Sequence, residues 1–288
     1  MNEDRDPELM FTDSSPSQID RREFLKLGSG LFVLFTVGDF SALAQQQGRQ
    51  SLPTDFNAFL RIGDDGRVEC YTGKIEMGQG VNTSLCQMIA EELDVALDSV
   101  DIVMGDTDIC PWDMGTFGSR TTRFFGPPLR SAGAEARQAL LQMAADLLKT
   151  PVEQLSVENG LVFEKSNKNN KVSYARLTKG KKIERRVTGK VPLKSPSEFK
   201  IIGKSVNRRD GKEKVTGEAK YTADLKIPGM MYAKILRAPA HGARLLDVDL
   251  TEANKVDGVQ IVRDGDFIAV LHKYPDVAEM ALSKIKAK

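Results

Sequence analysis

Apolar and polar positions along this chain follow two periods, and each switch between them marks an element. Residues 59–62 and 68–72 are short runs of branched, aromatic and alternating positions. The turn Gly63-Asp64-Asp65-Gly66 separates them, and together they predict two strands. Over residues 83–93 the apolar positions Leu85, Met88, Ile89 and Leu93 fall at helical spacing. Residues 100–104 predict another strand, 105–128 a long loop rich in glycine and threonine, and 129–148 a helix. That helix carries Ala132, Ala136, Leu140, Met143 and Leu147 on one stripe. Strands at 155–157 and 161–163 flank Glu158-Asn159-Gly160, a hairpin signal, and the Lys/Asn-rich stretch 165–171 reads as a solvated loop. Beyond the charged, glycine-punctuated stretch 203–217, strands are expected at 231–237, 244–249, 259–262 and 267–271. Helices are expected at 251–255 and 275–286. Strands and helices so interleaved predict a mixed α/β (α+β) layer architecture, in two domains at about 55–195 and 200–288.

The first 54 residues follow another pattern. Residues 1–20 are polar and have no periodicity that could bury a face. Asp20-Arg21-Arg22-Glu23-Phe24-Leu25-Lys26 then leads into an apolar stretch, 27–43, that ends at Ala42-Leu43-Ala44. A charged region, a short apolar region and an A-x-A site form a signal peptide. The paired arginines with Phe24-Leu25-Lys26 resemble the twin-arginine export signal, although Asp20 stands where Ser or Thr is usual. Residues 1–44 are therefore expected to direct the chain to the periplasm, with cleavage after Ala44 and a flexible lead-in at 45–54. An amphipathic anchor or an uncleaved helix is the competing reading.

Composition narrows the function classes. The chain has 288 residues, 41% of them hydrophobic and 28% charged, with a formal net charge of +1. That balance lacks the basic excess of an electrostatic nucleic-acid binder. No apolar stretch reaches the roughly 20 residues that span a bilayer. Cys70, Cys86 and Cys110 form no CxxC pair, and His241 and His272 are the only histidines. The spacing therefore predicts no zinc or iron–sulfur site within the chain and no metal held directly by side chains. His241 reads as a satisfied or exposed residue.

Two loops carry candidate chemistry. Gly78-Gln79-Gly80 lies between a predicted strand and a predicted helix. There, glycines let the backbone approach a ligand, a helix N-terminus offers N–H groups to an anion, and the Gln79 amide both donates and accepts. It is not the dinucleotide fingerprint, since the third glycine is missing, and an ordinary glycine-rich turn explains it as well. The second loop is Gly115-Thr116-Phe117-Gly118-Ser119-Arg120-Thr121-Thr122, ahead of Gly126-Pro127-Pro128. Its small residues and hydroxyls could wrap a phosphate or an extended ligand, and its length favours function over a plain connection. Arg120 and Arg123 either charge such a site or solubilise the surface.

At these positions the sequence resembles the large, molybdopterin-binding subunit of the xanthine dehydrogenase/aldehyde oxidase family, in the branch of the isoquinoline 1-oxidoreductase beta subunit. The likeness rests on 71–81 (YTGKIEMGQGV), 87–93 (QMIAEEL), 103–108 (VMGDTD) and 118–121 (GSRT). In the later part it rests on Asp210, 214–221 (KVTGEAKY), Asp224, 228–230 (PGM), 237–239 (RAP) and 242–244 (GAR). The resemblance implies a partial molybdopterin-binding domain followed by an α/β hammerhead-like domain. It implies a pyranopterin–molybdenum cofactor, often the cytosine dinucleotide in this branch, and hydroxylation of an aromatic N-heterocycle or oxidation of an aldehyde. Electrons would leave through an iron–sulfur small subunit. Gly78, Gln79 and Gly80 would contact the pterin side of the cofactor, and Gly118, Ser119 and Thr121 its other edge or its phosphate.

Family members are much longer, and the resemblance places their general-base glutamate in a C-terminal region beyond this sequence. No catalytic residue is therefore assigned here, and Glu76, Glu91 and Glu92 belong to the loop and helix of the cofactor motif. The expectation is a fragment of a longer or split subunit, active only when completed, with a chain supplying the remainder as one route, an inactive remnant as the other outcome, and membrane association through partners left open. A periplasmic binding or assembly protein that keeps the scaffold without chemistry is the alternative, and a free-standing phosphate binder is the weaker third reading.

Overall fold

The computed structural model describes residues 28–35, 58–113 and 115–288. Strands β2 (Ala58–Ile62) and β3 (Val68–Thr72) form the expected antiparallel pair, with Ala58 opposite Thr72 and Ile62 opposite Val68. β3 then passes through helix α1 (Val81–Leu93) to β4 (Val100–Met104), which lies parallel to it. A helical crossover is what a parallel pair requires. On the other side of β2 lies β1 (Gly30–Phe35), antiparallel to β2, and outside it β8 (Lys182–Arg186), parallel to β1. The sheet order is β4-β3-β2-β1-β8.

Two helices cover one face of this sheet. α1 presents Leu85, Ile89 and Leu93, and α2 (Gly126–Leu148) presents Leu129, Ala132, Ala136 and Leu140. All are fully buried against Leu31, Val33, Leu60, Ile62 and Val68. Burying a side chain of this size stabilises a fold by about 2 kcal/mol. The helices pack closely at Gly133, where a Cβ would stand 2.9 Å from the Cβ of Glu92. The opposite face holds a smaller cluster of Phe32, Leu34, Phe59, Tyr71 and Cys110. α2 starts earlier than the apolar stripe predicts. A π-turn at Thr121–Phe125 runs directly into it, and Pro127 and Pro128 sit in its first turn, where no intrahelical N–H is needed.

A hairpin and a third strand complete the unit: β5 (Leu155–Glu158), β6 (Leu161–Glu164) and β7 (Lys171–Ser173), followed by the short helix α3 (Tyr174–Thr178). β5 and β6 are the predicted hairpin. β7 takes up the end of the stretch read as a loop, and β8 carries no strand signal, since its sequence is KIERR.

Contacts divide the chain into two units at Lys212 and Glu213. The second unit has the sheet order β11 (Gln260–Asp264), β12 (Phe267–His272), β9 (Tyr232–Ile235), all antiparallel. Helix α5 (Pro275–Ser283) packs on it with Ala278 and Ala281 buried, and Lys234 pairs with Glu279 at 2.7 Å. α4 (Thr251–Asn254) and the two-residue strands β10 (Val248–Asp249) and β13 (Lys286–Ala287) complete it. The strand expected over 244–249 shrinks to these last two residues, with the N–H groups of Leu246 and Asp247 donating to the Lys288 carbonyl. Among the described residues no helix is long and apolar enough to cross a membrane.

Candidate functional site

Both glycine-rich loops leave the same end of the sheet and converge. The first, 73–80, follows β3. The second runs from the end of β4 to the π-turn before α2. Between them lies a buried ion pair that the sequence gives no sign of. Lys74 Nζ stands 2.7 Å from Asp113 Oδ1 and donates at 2.7 Å to the Gly115 carbonyl, with the two side chains 7% and 4% exposed. Asp113 also accepts from the Gly115 N–H at 2.8 Å, and the Ile75 N–H donates to Thr116 Oγ1 at 2.9 Å. These bonds fasten one loop to the other.

A cavity of about 390 Å³ opens beside this clamp. Four of the six residues singled out from sequence, Gln79, Gly118, Ser119 and Thr121, line it. Gly78 and Gly80 do not. Met77 of the first loop and Thr116, Phe117, Arg120 and Thr122 of the second join the lining, and the structure adds Val81 and Ser84 from the following helix. The wall thus combines apolar surface with several hydroxyls and one guanidinium, and the Arg120 group lies 5.4 Å from the centre of the Phe117 ring. The apolar side chains of Met77 (60%) and Phe117 (46%) line it while remaining exposed. Such a lining suits a polar ligand rich in acceptors, with a flat part to lie on apolar and aromatic surface.

The expectation of free N–H groups at the start of α1 needs correction. Glu76 fills that position. Its carboxylate accepts from the N–H groups of Gly78 (2.9 Å), Gly80 (2.8 Å) and Asn82 (3.0 Å). Gly78 and Gly80 make this turn possible with φ of 100° and 80°, a region that side chains disfavour. Burial alone would raise the Glu76 carboxyl's pKa. The three N–H donors and the Arg208 charge outweigh burial and hold it below the usual carboxylate range. Arg208 reaches the loop from the far end of the unit, donating to the Gly78 carbonyl at 2.7 Å and to Glu76 at 3.2 Å. The Gln79 amide is also turned inward. Its Oε1 accepts from the Met77 N–H, and its Nε2 donates to the Ile75 carbonyl at 3.0 Å.

The two glutamates of α1 have structural duties. Glu91, 1% exposed, accepts from three successive backbone N–H groups, Lys200 (2.9 Å), Ile201 (2.7 Å) and Ile202 (3.0 Å). Burial pushes its pKa up, and these donors with Lys194 pull it below the ordinary range. Glu92 pairs with Arg130 at 2.6 Å. Neither faces the cavity. Cys70, Cys86 and Cys110 are buried free thiols, and burial raises the pKa of each, that of Cys86 to about 11. Among the described residues no group of three His, Cys, Asp or Glu side chains could hold a metal. His241 is exposed in a turn.

Comparison with known proteins gives the family of the chain. Residues 12–225 match the molybdopterin cofactor-binding domain, and 216–287 match the aldehyde oxidase and xanthine dehydrogenase a/b hammerhead domain. The chain therefore belongs to the xanthine dehydrogenase/aldehyde oxidase family of molybdopterin-binding subunits. It is 35% identical over 237 residues to a nicotinate dehydrogenase subunit of Pseudomonas putida, covering 79% of this chain and 20% of that protein. It is 30% identical to the beta subunit of isoquinoline 1-oxidoreductase of Brevundimonas diminuta, over 85% of this chain and 37% of that one. A membrane-bound aldehyde dehydrogenase (pyrroloquinoline-quinone) of Gluconacetobacter polyoxogenes is 31% identical, over 84% and 32%. The chain thus spans between a fifth and about two fifths of the length of these relatives.

Proposed function

We propose that this chain is a cofactor-holding part of the molybdenum subunit of an oxidoreductase. Its substrate class would be an aromatic N-heterocycle, to be hydroxylated, or an aldehyde. The observation that carries this reading is the convergence of both glycine-rich loops on one cavity of mixed apolar and hydroxyl lining, tied together by Lys74 and Asp113. Two of the relatives are named for N-heterocycles and one for aldehydes.

The lining fits a pterin nucleotide. Ser119, Thr121 and Thr122 offer hydroxyl donors, Arg120 a charge for a phosphate, and Phe117 and Met77 a flat apolar surface. When bound, the molybdenum cofactor supplies the two-electron oxidation of the substrate. The chain's own residues bind and orient. Glu76 and Arg208 fix the first loop's backbone, and the Lys74–Asp113 pair sets the spacing between the loops. Gln79 reaches the ligand by exchanging its two internal hydrogen bonds for bonds to the cofactor, while Gly78 and Gly80 shape its turn. Gly118 lets the second loop's backbone come close. The cytosine dinucleotide form is the finer proposal. With it go an iron–sulfur small subunit to take the electrons, and delivery to the periplasm through the Arg21-Arg22 segment.

The inward-turned Gln79 amide favours one second reading, a binding or assembly protein that keeps the scaffold without the chemistry. Molybdenum and pterin analysis of the protein from its native host, with identification of co-purifying chains, separates the two. Near-stoichiometric molybdenum with a pterin nucleotide and an iron–sulfur partner is expected. A well-folded preparation with neither metal nor pterin would sink the oxidoreductase reading.

A further inference from the structure

Residues 30–35 belong to the segment that sequence patterns assign to export, yet they form an interior strand of a folded sheet. We propose that Gly30–Phe35 is a permanent strand of the cofactor domain, seated in the slot between β2 and β8, so that the working protein keeps this segment instead of losing it by cleavage after Ala44. Only the export label rests on the reading given above. The strand assignment stands on the fold.

Three observations carry it. First, β1 is bonded on both edges. Five residues pair with β2 and five with β8, and the ladder is extended by Gly30 N–H to the Lys181 carbonyl (2.7 Å) and Val187 N–H to the Leu34 carbonyl (3.0 Å). Among the described residues β8 has no other strand neighbour in the sheet, so without β1 it would be detached and β2 would become a bare edge. Unpaired strand edges of that kind invite aggregation, which folded proteins avoid.

Second, both faces of β1 are used. Leu31, Val33 and Phe35 join the core beneath the two helices, and Phe32 and Leu34 join the cluster on the opposite face, none more than 3% exposed. An export segment needs only to be apolar, whereas this one is matched residue by residue. Phe35 meets Phe125 with ring centres 5.8 Å apart, Phe32 meets Phe59 at 6.5 Å, and Lys182 lies over the Phe32 ring at 5.2 Å. Phe125 ends the π-turn that begins at Thr121, so β1 supports the second loop of the cavity from behind.

Third, the match to the molybdopterin cofactor-binding domain starts at residue 12, upstream of the strand, and runs through it. The domain pattern of the family includes this stretch.

Intact-mass measurement of the folded protein from the native host's cytoplasmic and periplasmic fractions tests the proposal, together with hydrogen exchange of its peptides. We expect a mass that includes residues 30–35, with their amides exchanging at least about 100-fold more slowly than in an unstructured peptide. A folded protein that begins at Gln45, or exchange of 30–35 at unstructured rates, overturns it. The fraction in which the uncleaved protein is found bears on export alone: full-length, protected protein only in the cytoplasm removes the export reading and leaves the strand. A chain engineered to begin at Gln45 provides the second measurement. Loss of protection at 182–186 is expected, and β8 amides as slow as those of the full chain would overturn the proposal.

Discussion

The two glycine-rich loops look alike in sequence and do opposite things with their polar groups. In 73–80 the donors and acceptors are engaged by protein partners. Glu76 collects three N–H groups, the Gln79 amide closes on Met77 and Ile75, and Arg208 braces the turn from outside. In 115–122 the hydroxyls of Ser119, Thr121 and Thr122 face the cavity, and among the described residues only Thr116 of this loop's hydroxyls is committed to the neighbouring loop. Glycine spacing reports where a backbone bends. Whether the bend leaves donors for a ligand depends on what else reaches it. The first loop is therefore a rigid platform and the second the surface that adapts to a ligand.

Breaking the clamp that holds the two loops together should have the largest effect. Lys74→Ala leaves the Asp113 carboxylate buried and unpaired, which costs about 3–5 kcal/mol in comparable cases. Urea denaturation of the full chain should show that loss. The paired replacement Lys74→Met with Asp113→Leu should recover most of it, since an ion pair exchanged for apolar groups of similar size is often neutral. If Lys74→Ala leaves the midpoint unchanged, the clamp is not what sets the spacing.

A smaller effect is expected from Arg208→Ala. It removes bonds to the Gly78 carbonyl and to Glu76, for about 1–2 kcal/mol, and frees the first loop. Faster hydrogen exchange at 76–82, with unchanged exchange at 118–122, is the pattern that distinguishes platform from binding surface. Equal loosening of both loops would contradict the division.

Acid should sharpen the same contrast. Glu76 and Glu91 have carboxyl pKa values below the ordinary range in the folded state, so the folded chain holds these protons less readily than the unfolded one. Their contribution to stability is therefore complete above the usual carboxylate range, near pH 4.5, and is lost as pH falls through the lower folded values. Exchange at 76–82 and at 200–202 should rise over that window, and Glu91→Gln should flatten the response at 200–202. No acid response at either place would refute the assigned hydrogen bonding.

Much of this fold can be read from the chain because its layers obey simple periods. β2, β3, α1, β4 and the hairpin appear where alternation or helical spacing puts them. β1 escaped that reading for a physical reason. A strand buried on both faces has no alternation, and six apolar residues beside paired arginines look like an export segment. β8 escaped for the opposite reason, being an edge strand of mostly charged, exposed residues whose place is fixed by β1. At the site, glycine and hydroxyl density pointed to four lining residues. The Lys74–Asp113 pair and the reach of Arg208 to Gly78 span large sequence separations and leave no local trace.

The smallest stability effect should come from the residues that matter most to the proposed ligand. Ser119 stands exposed at the cavity wall, so Ser119→Ala should change folding stability by no more than about 0.5 kcal/mol, and Thr121→Ala, at a buried position of the same wall, by about 1 kcal/mol. In the holoprotein the same changes should weaken retention of the pterin nucleotide by about tenfold, as expected for the loss of one hydrogen bond to a charged group. Dialysis followed by molybdenum and pterin analysis measures that loss, and denaturation of the same samples measures the other. Unchanged retention in both variants, with Arg208→Ala shedding the nucleotide instead, would reverse the roles of the two loops and make the first one the binding surface.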